Sequence, residues 1–133
     1  MTDIDTQRSR CTALPGTTED FPFGADTLVL KVSGKIFAMT GLDEVPLRLT
    51  LKGDPDDNEA LLATFPAIQP GHYMNKGHWN TVTLDGTVQA DVLDEIIVNS
   101  HALVVCGLPR ATRLLLQETR IVTEENHADN HRA

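Results

Sequence analysis

The residues best suited to chemistry fall in one stretch, Pro70-Gly71-His72-Tyr73-Met74-Asn75-Lys76-Gly77-His78-Trp79-Asn80-Thr81-Val82. It holds the single Trp, the single Tyr and two of the five His of the chain. No Asp or Glu falls between Glu59 and Asp85, although the formal net charge is -8. Lys76 can pair with a phosphate, His72 and His78 can donate hydrogen bonds, and Tyr73 and Trp79 can stack on bases. Asn75 and Asn80 can read base edges through bidentate hydrogen bonds. The same group suits a peptide or a small anion. Each residue also has a purely architectural use. Trp79 can fill core space while its indole N–H finds a carbonyl. Asn75 can hold a left-handed turn, Asn80 can close a loop through its amide, and His78 can satisfy buried backbone.

A second basic group is spread over neighbouring strands: Lys31 and Lys35, which flank Ser33-Gly34, with Arg48 and Lys52. If these share the wet face of a sheet, they form the one sizeable basic patch; otherwise they solubilise its surface. Other chemistry finds little support. His72 and His78 lack a nearby Cys or acid to complete a tetrahedral metal set. His127 and His131 flank Asp129, in a polar tail. No nucleophile elbow, phosphate-cradling Gly-rich loop or paired-carboxylate signature accompanies the motif. The reading is therefore no catalytic residue, no metal, no cofactor, and not an enzyme.

Charge bears on the partner. Non-specific nucleic-acid affinity comes from Lys and Arg displacing counterions at phosphates. A chain with 19 acidic and 11 basic residues repels a polyanion unless its cations gather on one face. The acids cluster at Asp3 to Asp26, Asp43 to Glu59 and Asp85 to Glu95, as solvated faces and turns. No apolar run approaches the ~20 residues of a membrane helix, and the acidic start lacks a signal-peptide core. The expected location is the cytoplasm, with no membrane partner. Cys11 and Cys106 read as reduced, half-buried thiols, with a disulfide left open.

The elements that must position these residues follow from periodicity. A short helix is expected over Thr2 to Ala13, with Ile4, Cys11 and Leu14 near one face and Leu14-Pro15-Gly16 ending it. Pro22 makes Thr17 to Gly24 an edge strand or a packed loop, its two Phe anchored on the core. Thr27 to Val32 and Lys35 to Gly41 form a hairpin about Ser33-Gly34. Pro46 to Leu51 is a third strand, with Leu47, Leu49 and Leu51 buried and Arg48, Thr50 and Lys52 wet. Asp54 caps a helix that starts at Pro55 and runs to Phe65. Ala67 to Gly71 and Trp79 to Leu84 are two strands bridged by the motif. A longer helix begins near Gln89, with a buried stripe of Leu93, Ile96, Ile97, Ser100, Val104 and Val105. Gly107 caps it, and Pro109 opens a last helix to about Thr119 carrying Arg110 and Arg113, with Arg120 beyond. The fold class is α+β: a two-layer sandwich whose antiparallel five- or six-stranded sheet has helices on one face, in the order α-β(3)-α-β(2)-α-α. One domain spans 1–123, and 124–133 is a flexible polar tail.

Several strings resemble the MmcQ/YjbR family of small bacterial proteins. They are Leu14-Pro15-Gly16, Glu19-Asp20-Phe21-Pro22-Phe23-Gly24, the hairpin Lys31 to Ala38, Leu51-Lys52-Gly53-Asp54-Pro55, the whole motif from Pro70 to Val82, and Leu84-Asp85-Gly86. The resemblance covers Leu14 to Pro109. It implies a CyaY-like or secretion-chaperone-like fold and DNA binding through a "double wing" of β-hairpins. The site would then comprise His72, Tyr73, Asn75, Lys76, His78, Trp79, Asn80, Lys31 and Lys35. Two departures stand out: Gly77 takes a place often basic in relatives, and Gly53 one often held by a small thiol-bearing residue. Three readings result. The first is a DNA-binding module. The second, favoured by the acidity, is a protein-interaction or chaperone-like module with a protein partner or as a homodimer. The third is a small-ligand pocket at His72, Lys76 and His78.

Overall fold

Ser33 and Gly34 fix the first hairpin. Both take positive φ, 50° and 80°, which is what a two-residue turn matched to the twist of its strands requires. The strands they join are β2 (Thr27–Val32) and β3 (Lys35–Gly41). The computed structural model describes residues 4–71 and 77–116. Around that hairpin it sets α1 (Ile4–Thr12), β1 (Thr17–Asp20), β4 (Arg48–Lys52), α2 (Pro55–Thr64), β5 (Ile68–Pro70), β6 (Trp79–Thr83) and α3 (Ala90–Cys106). The chain is helical again over 110–116. The ends of the expected first and last helices (Thr2 and Asp3; Thr119 and Arg120) lie outside the described residues. So does the tail with His127, Asp129 and His131.

The architecture is α+β with six antiparallel strands in the order β1-β2-β3-β4-β6-β5. Cross-strand register sorts the side chains. Leu28, Thr40, Leu49, Val82 and Ile68 form one row, and Leu30, Ala38, Leu51 and Asn80 the next. Leu49, Val82 and Ile68 of the first row and Leu30, Ala38 and Leu51 of the second meet Leu93, Ile97 and Val104 of α3 and Cys11 of α1 in one core. α3 lies across β2, β3 and β4, α1 rests on β1 and α3, and α2 leans on β5 and β6. Two polar side chains pin α3: the Ser100 hydroxyl donates to the Phe37 carbonyl at 2.6 Å, and His101 Nε2 donates to the Pro15 carbonyl at 2.8 Å. The His101 ring also meets Phe37 edge-on, centroids 5.3 Å apart.

Four strands, not three, precede α2. Thr17–Asp20 pairs on one side only, with β2, and its β-branched start and acidic end suit an edge strand. The two Phe that follow are not core anchors: Phe21 is 40% and Phe23 66% exposed. The chain turns away after β1 and closes at Gly24, φ 119°, whose N–H donates to the Phe21 carbonyl at 3.3 Å. The rings therefore lie beyond the end of the strand. Nor is Thr50 wet. It is 5% exposed, because β4 is an interior strand whose neighbours place Met39 and Thr81 on either side of it. The Thr50 and Thr81 hydroxyls bond to each other at 2.9 Å.

Other expectations hold closely. Asp54 Oδ1 accepts from the Asp56 N–H at 3.0 Å and Pro55 takes the first helical position of α2. Gly107 closes α3, in a right-handed conformation. Ile96 and Val105, placed in the buried stripe, are half-buried, and His101 joins it instead. Cys11 is buried and Cys106 exposed, both free thiols, so the pair is not uniformly half-buried. Among the described residues, no helix is long and apolar enough to cross a membrane.

Candidate functional site

The motif is the connection of a β-hairpin. Pro70 pairs with Asn80, and the Gly71 N–H donates to the Trp79 carbonyl at 2.7 Å. A Cβ at Gly71 would lie 2.8 Å from that of Trp79, so only glycine lets the two segments close up. His72, Tyr73, Asn75 and Lys76 lie outside the described residues. The chain returns at Gly77, with φ 86°. A basic side chain there would have to adopt the left-handed conformation that glycine takes freely.

The described half of the motif is built into the fold. Trp79 is 3% exposed and Asn80 2%. Asn80 Nδ2 donates to the Asn58 carbonyl of α2 at 3.3 Å. Asn58, itself buried, donates from Nδ2 to the Gly77 carbonyl at 2.8 Å and to the Gly53 carbonyl at 3.3 Å. The Gly53 N–H in turn donates to the His78 carbonyl at 2.9 Å. His78 thus meets its neighbours through its backbone, and its side chain is half-buried. A Cβ on Gly53 would stand 2.2 Å from Asn58 Oδ1, so any side chain there would displace that amide. The sequence pointed to Asn80 as a loop-closing amide. It did not point to Asn58, one more polar residue in an acidic helix.

The lysines do not join this group. Lys31 sits on β2, three strand steps from β6, or ~14 Å. Its ammonium donates to Asp20 Oδ2 at 2.8 Å. That bond is the first reason the Asp20 carboxyl titrates below its ordinary value. Lys35 is exposed at the hairpin, opposite Val32 and so on the other face from Lys31. Arg8 pairs with Glu19 and Arg10 with Asp94. Of the four cations predicted as one patch, Lys31, Arg48 and Lys52 alternate with the core-facing Leu30, Leu49 and Leu51 and so share the opposite face, Lys35 lies on the core side, and Lys31 is held by Asp20.

What the Asn58 network does border is a cleft. α2 leans outward over β5 and β6 while α3 crosses the centre of the sheet. Between them a space of about 360 Å³ opens above Leu51 and Asn80. Its walls are Leu61 and Ala60 of α2 and Val92, Ile96 and Leu103 of α3. Asp54, Asp57 and Glu95 stand at its rim, with Lys52 beside Asp54. Leu61, Val92, Ile96 and Leu103 are only half-buried. The spacing of Val92, Ile96, Asn99 and Leu103 was a legible signal: a second stripe on α3, one position away from the buried one.

The YjbR family model matches residues 12–103 of this chain. The chain belongs to the YjbR family. It is 35% identical over 107 residues to YbdF of Escherichia coli O157:H7, covering 80% of this chain and 87% of YbdF. It is 30% identical over 106 residues to YjbR of Escherichia coli K12, covering 80% and 90%. Both relatives are named as uncharacterised proteins. Among solved structures, this YjbR-family chain is similar to the crystal structure of Deinococcus radiodurans protein DR2400, of domain DUF419. The TM-score is 0.80 at 44% identity, covering 86% of this chain and 87% of the other. A Pseudomonas syringae protein matches with TM-score 0.64 at 25% identity, covering 76% and 97%.

Proposed function

We propose that this YjbR-family domain is a non-enzymatic interaction module that binds another protein, and that its working surface is the α2–α3 cleft. The observation that carries the reading is the cleft itself: the apolar wall residues Leu61, Val92, Ile96 and Leu103 left half-covered, with three carboxylates at the rim. Half-covered apolar side chains gathered in a concave surface mark a place where a partner gains by excluding water. A carboxylate rim repels phosphate. Of the residues the DNA reading draws on, Trp79 and Asn80 are used internally by the fold and Lys31 is bonded to Asp20, while His72, Tyr73, Asn75 and Lys76 lie outside the described residues.

One observation favours the nucleic-acid reading. Lys35 and Arg48 are exposed and have no acidic partner within ion-pair distance among the described residues. Fluorescence anisotropy with a labelled duplex separates the two. The interaction reading expects no saturable binding at ~50 mM salt. Affinity that falls steeply with salt and drops in Lys35→Ala and Arg48→Ala would overturn it. Sedimentation at the same salt tells whether the partner is a second copy.

A further inference from the structure

We propose that the α2–α3 cleft docks a basic amphipathic helix of a partner protein. The proposal rests on the interaction reading above and specifies what the cleft takes. Both walls are helices, α3 lining the cleft from Val92 to Leu103 and α2 from Asp57 to Thr64. On α3 the lining residues Val92, Ile96, Asn99 and Leu103 recur every three to four positions. On α2 Asp57, Leu61 and Thr64 do the same. From Val92 to Leu103 the helical rise is ~17 Å, about three turns. A helix lying along the mouth presents side chains at the same spacing, and its apolar stripe enters the trough between Leu61 on one side and Ile96 and Leu103 on the other.

An extended peptide has no comparable seat. The floor is made by β4 and β6, and each is already paired on both sides, β4 with β3 and β6, β6 with β4 and β5. No strand edge there offers free N–H and C=O groups for an added strand.

Charge selects among helices. Asp57 and Glu95 flank the trough from opposite walls, and neither has an ion-pair partner among the described residues. Asp54 adds a third carboxylate at the end where Lys52 sits. Lys or Arg on the flanks of a docked helix would meet one carboxylate on each side. An acidic helix would meet like charge on both. The rim thereby sets partner choice and association rate, and the apolar walls set residence.

The test uses the full chain and two synthetic peptides of about four helical turns. Both carry Leu every three to four residues along one face. One has Lys and Arg on the flanks; in the other every cation is replaced by Glu. Amide NMR titration follows both. The basic peptide is expected to move amides over 57–64 and 92–103, and to bind about five- to tenfold more tightly than the acidic one at low salt. The gap should narrow as salt rises. The paired variant Asp57→Lys, Glu95→Lys is expected to reverse the preference; both positions are exposed, and a thermal melt checks that the fold stands. Equal affinity for the two peptides, or an unchanged preference in the variant, would overturn the charge selection while leaving an apolar docking cleft. No amide shift in the cleft with either peptide would overturn the interaction reading beneath it.

Discussion

Asn58→Ala is the perturbation that most directly probes how the motif is tied to the rest of the fold. The substitution removes the donor that holds the Gly77 carbonyl at 2.8 Å and the Gly53 carbonyl at 3.3 Å. The shorter bond contributes ~1 kcal/mol and the longer one about half as much by the usual net value of a neutral hydrogen bond. A carbonyl left without its donor in a site that is 4% exposed at Asn58 adds desolvation cost. Since Gly77 is exposed, water can recover part of that cost. The sum is ~2 kcal/mol, or a fall in Tm of roughly 8 °C for a domain of this size. Asn58→Asp keeps the shape but turns a donor toward two carbonyls into an acceptor, so it should cost ~1–2 kcal/mol more than Ala. Thermal melts and urea titrations measure both. Hydrogen exchange at the Gly53 N–H, which bonds the His78 carbonyl, should quicken in each variant. If Asn58→Ala melts within a degree or two of the parent, or Asp and Ala cost the same, the tie between α2 and the motif is not what holds residues 77–80.

Three further outcomes are expected. Trp79→Ala should destabilise the fold by ~3–5 kcal/mol as a buried aromatic truncated to a cavity, and the parent's tryptophan emission should be blue-shifted and resist acrylamide quenching; easy quenching would show the indole to be accessible. Burial pushes the His101 imidazole below its ordinary 6.5, against the pull of its bond to Pro15. The unfolded chain then binds more protons, so this contribution is full above pH 6.5 and is lost as pH falls through the folded value. Melts from pH 8 down to about pH 5 should show declining stability, and His101→Gln, which can still donate to Pro15, should flatten the decline. Burial, with Asp94 and Glu19 nearby, pushes the Cys11 thiol up to about 12. Thiol titration of the native protein should therefore count one reactive group, the exposed Cys106, and two after unfolding.

The fold was legible where a local rule and a tertiary need coincide. Ser33-Gly34 announced its hairpin, Asp54-Pro55 its helix start, and Leu49 and Leu51 the inward face of β4. Reading failed where sheet position decides. Thr50 is polar and every other residue of its strand points the opposite way, yet two neighbouring strands bury it. Phe21 and Phe23 are apolar, yet the turn beyond an edge strand leaves them outside. The site was legible only in part. Trp79 and Asn80 were named, with both their uses, but choosing between the uses needed the distance from Asn80 to Asn58. The cleft was hidden because α2 and α3 are separated by 25 residues of chain, and no pattern within either helix states the gap between them.

The central claim is that the cleft, and not a basic face, meets the partner. Amide NMR of the full chain with a short DNA duplex at ~50 mM salt, set against the basic peptide under the same conditions, tests it most directly. The account predicts shifts over 57–64 and 92–103 with the peptide and none with the duplex. Shifts confined to the β2–β3 hairpin and residues 77–80 with the duplex, and a silent cleft with the peptide, would contradict it.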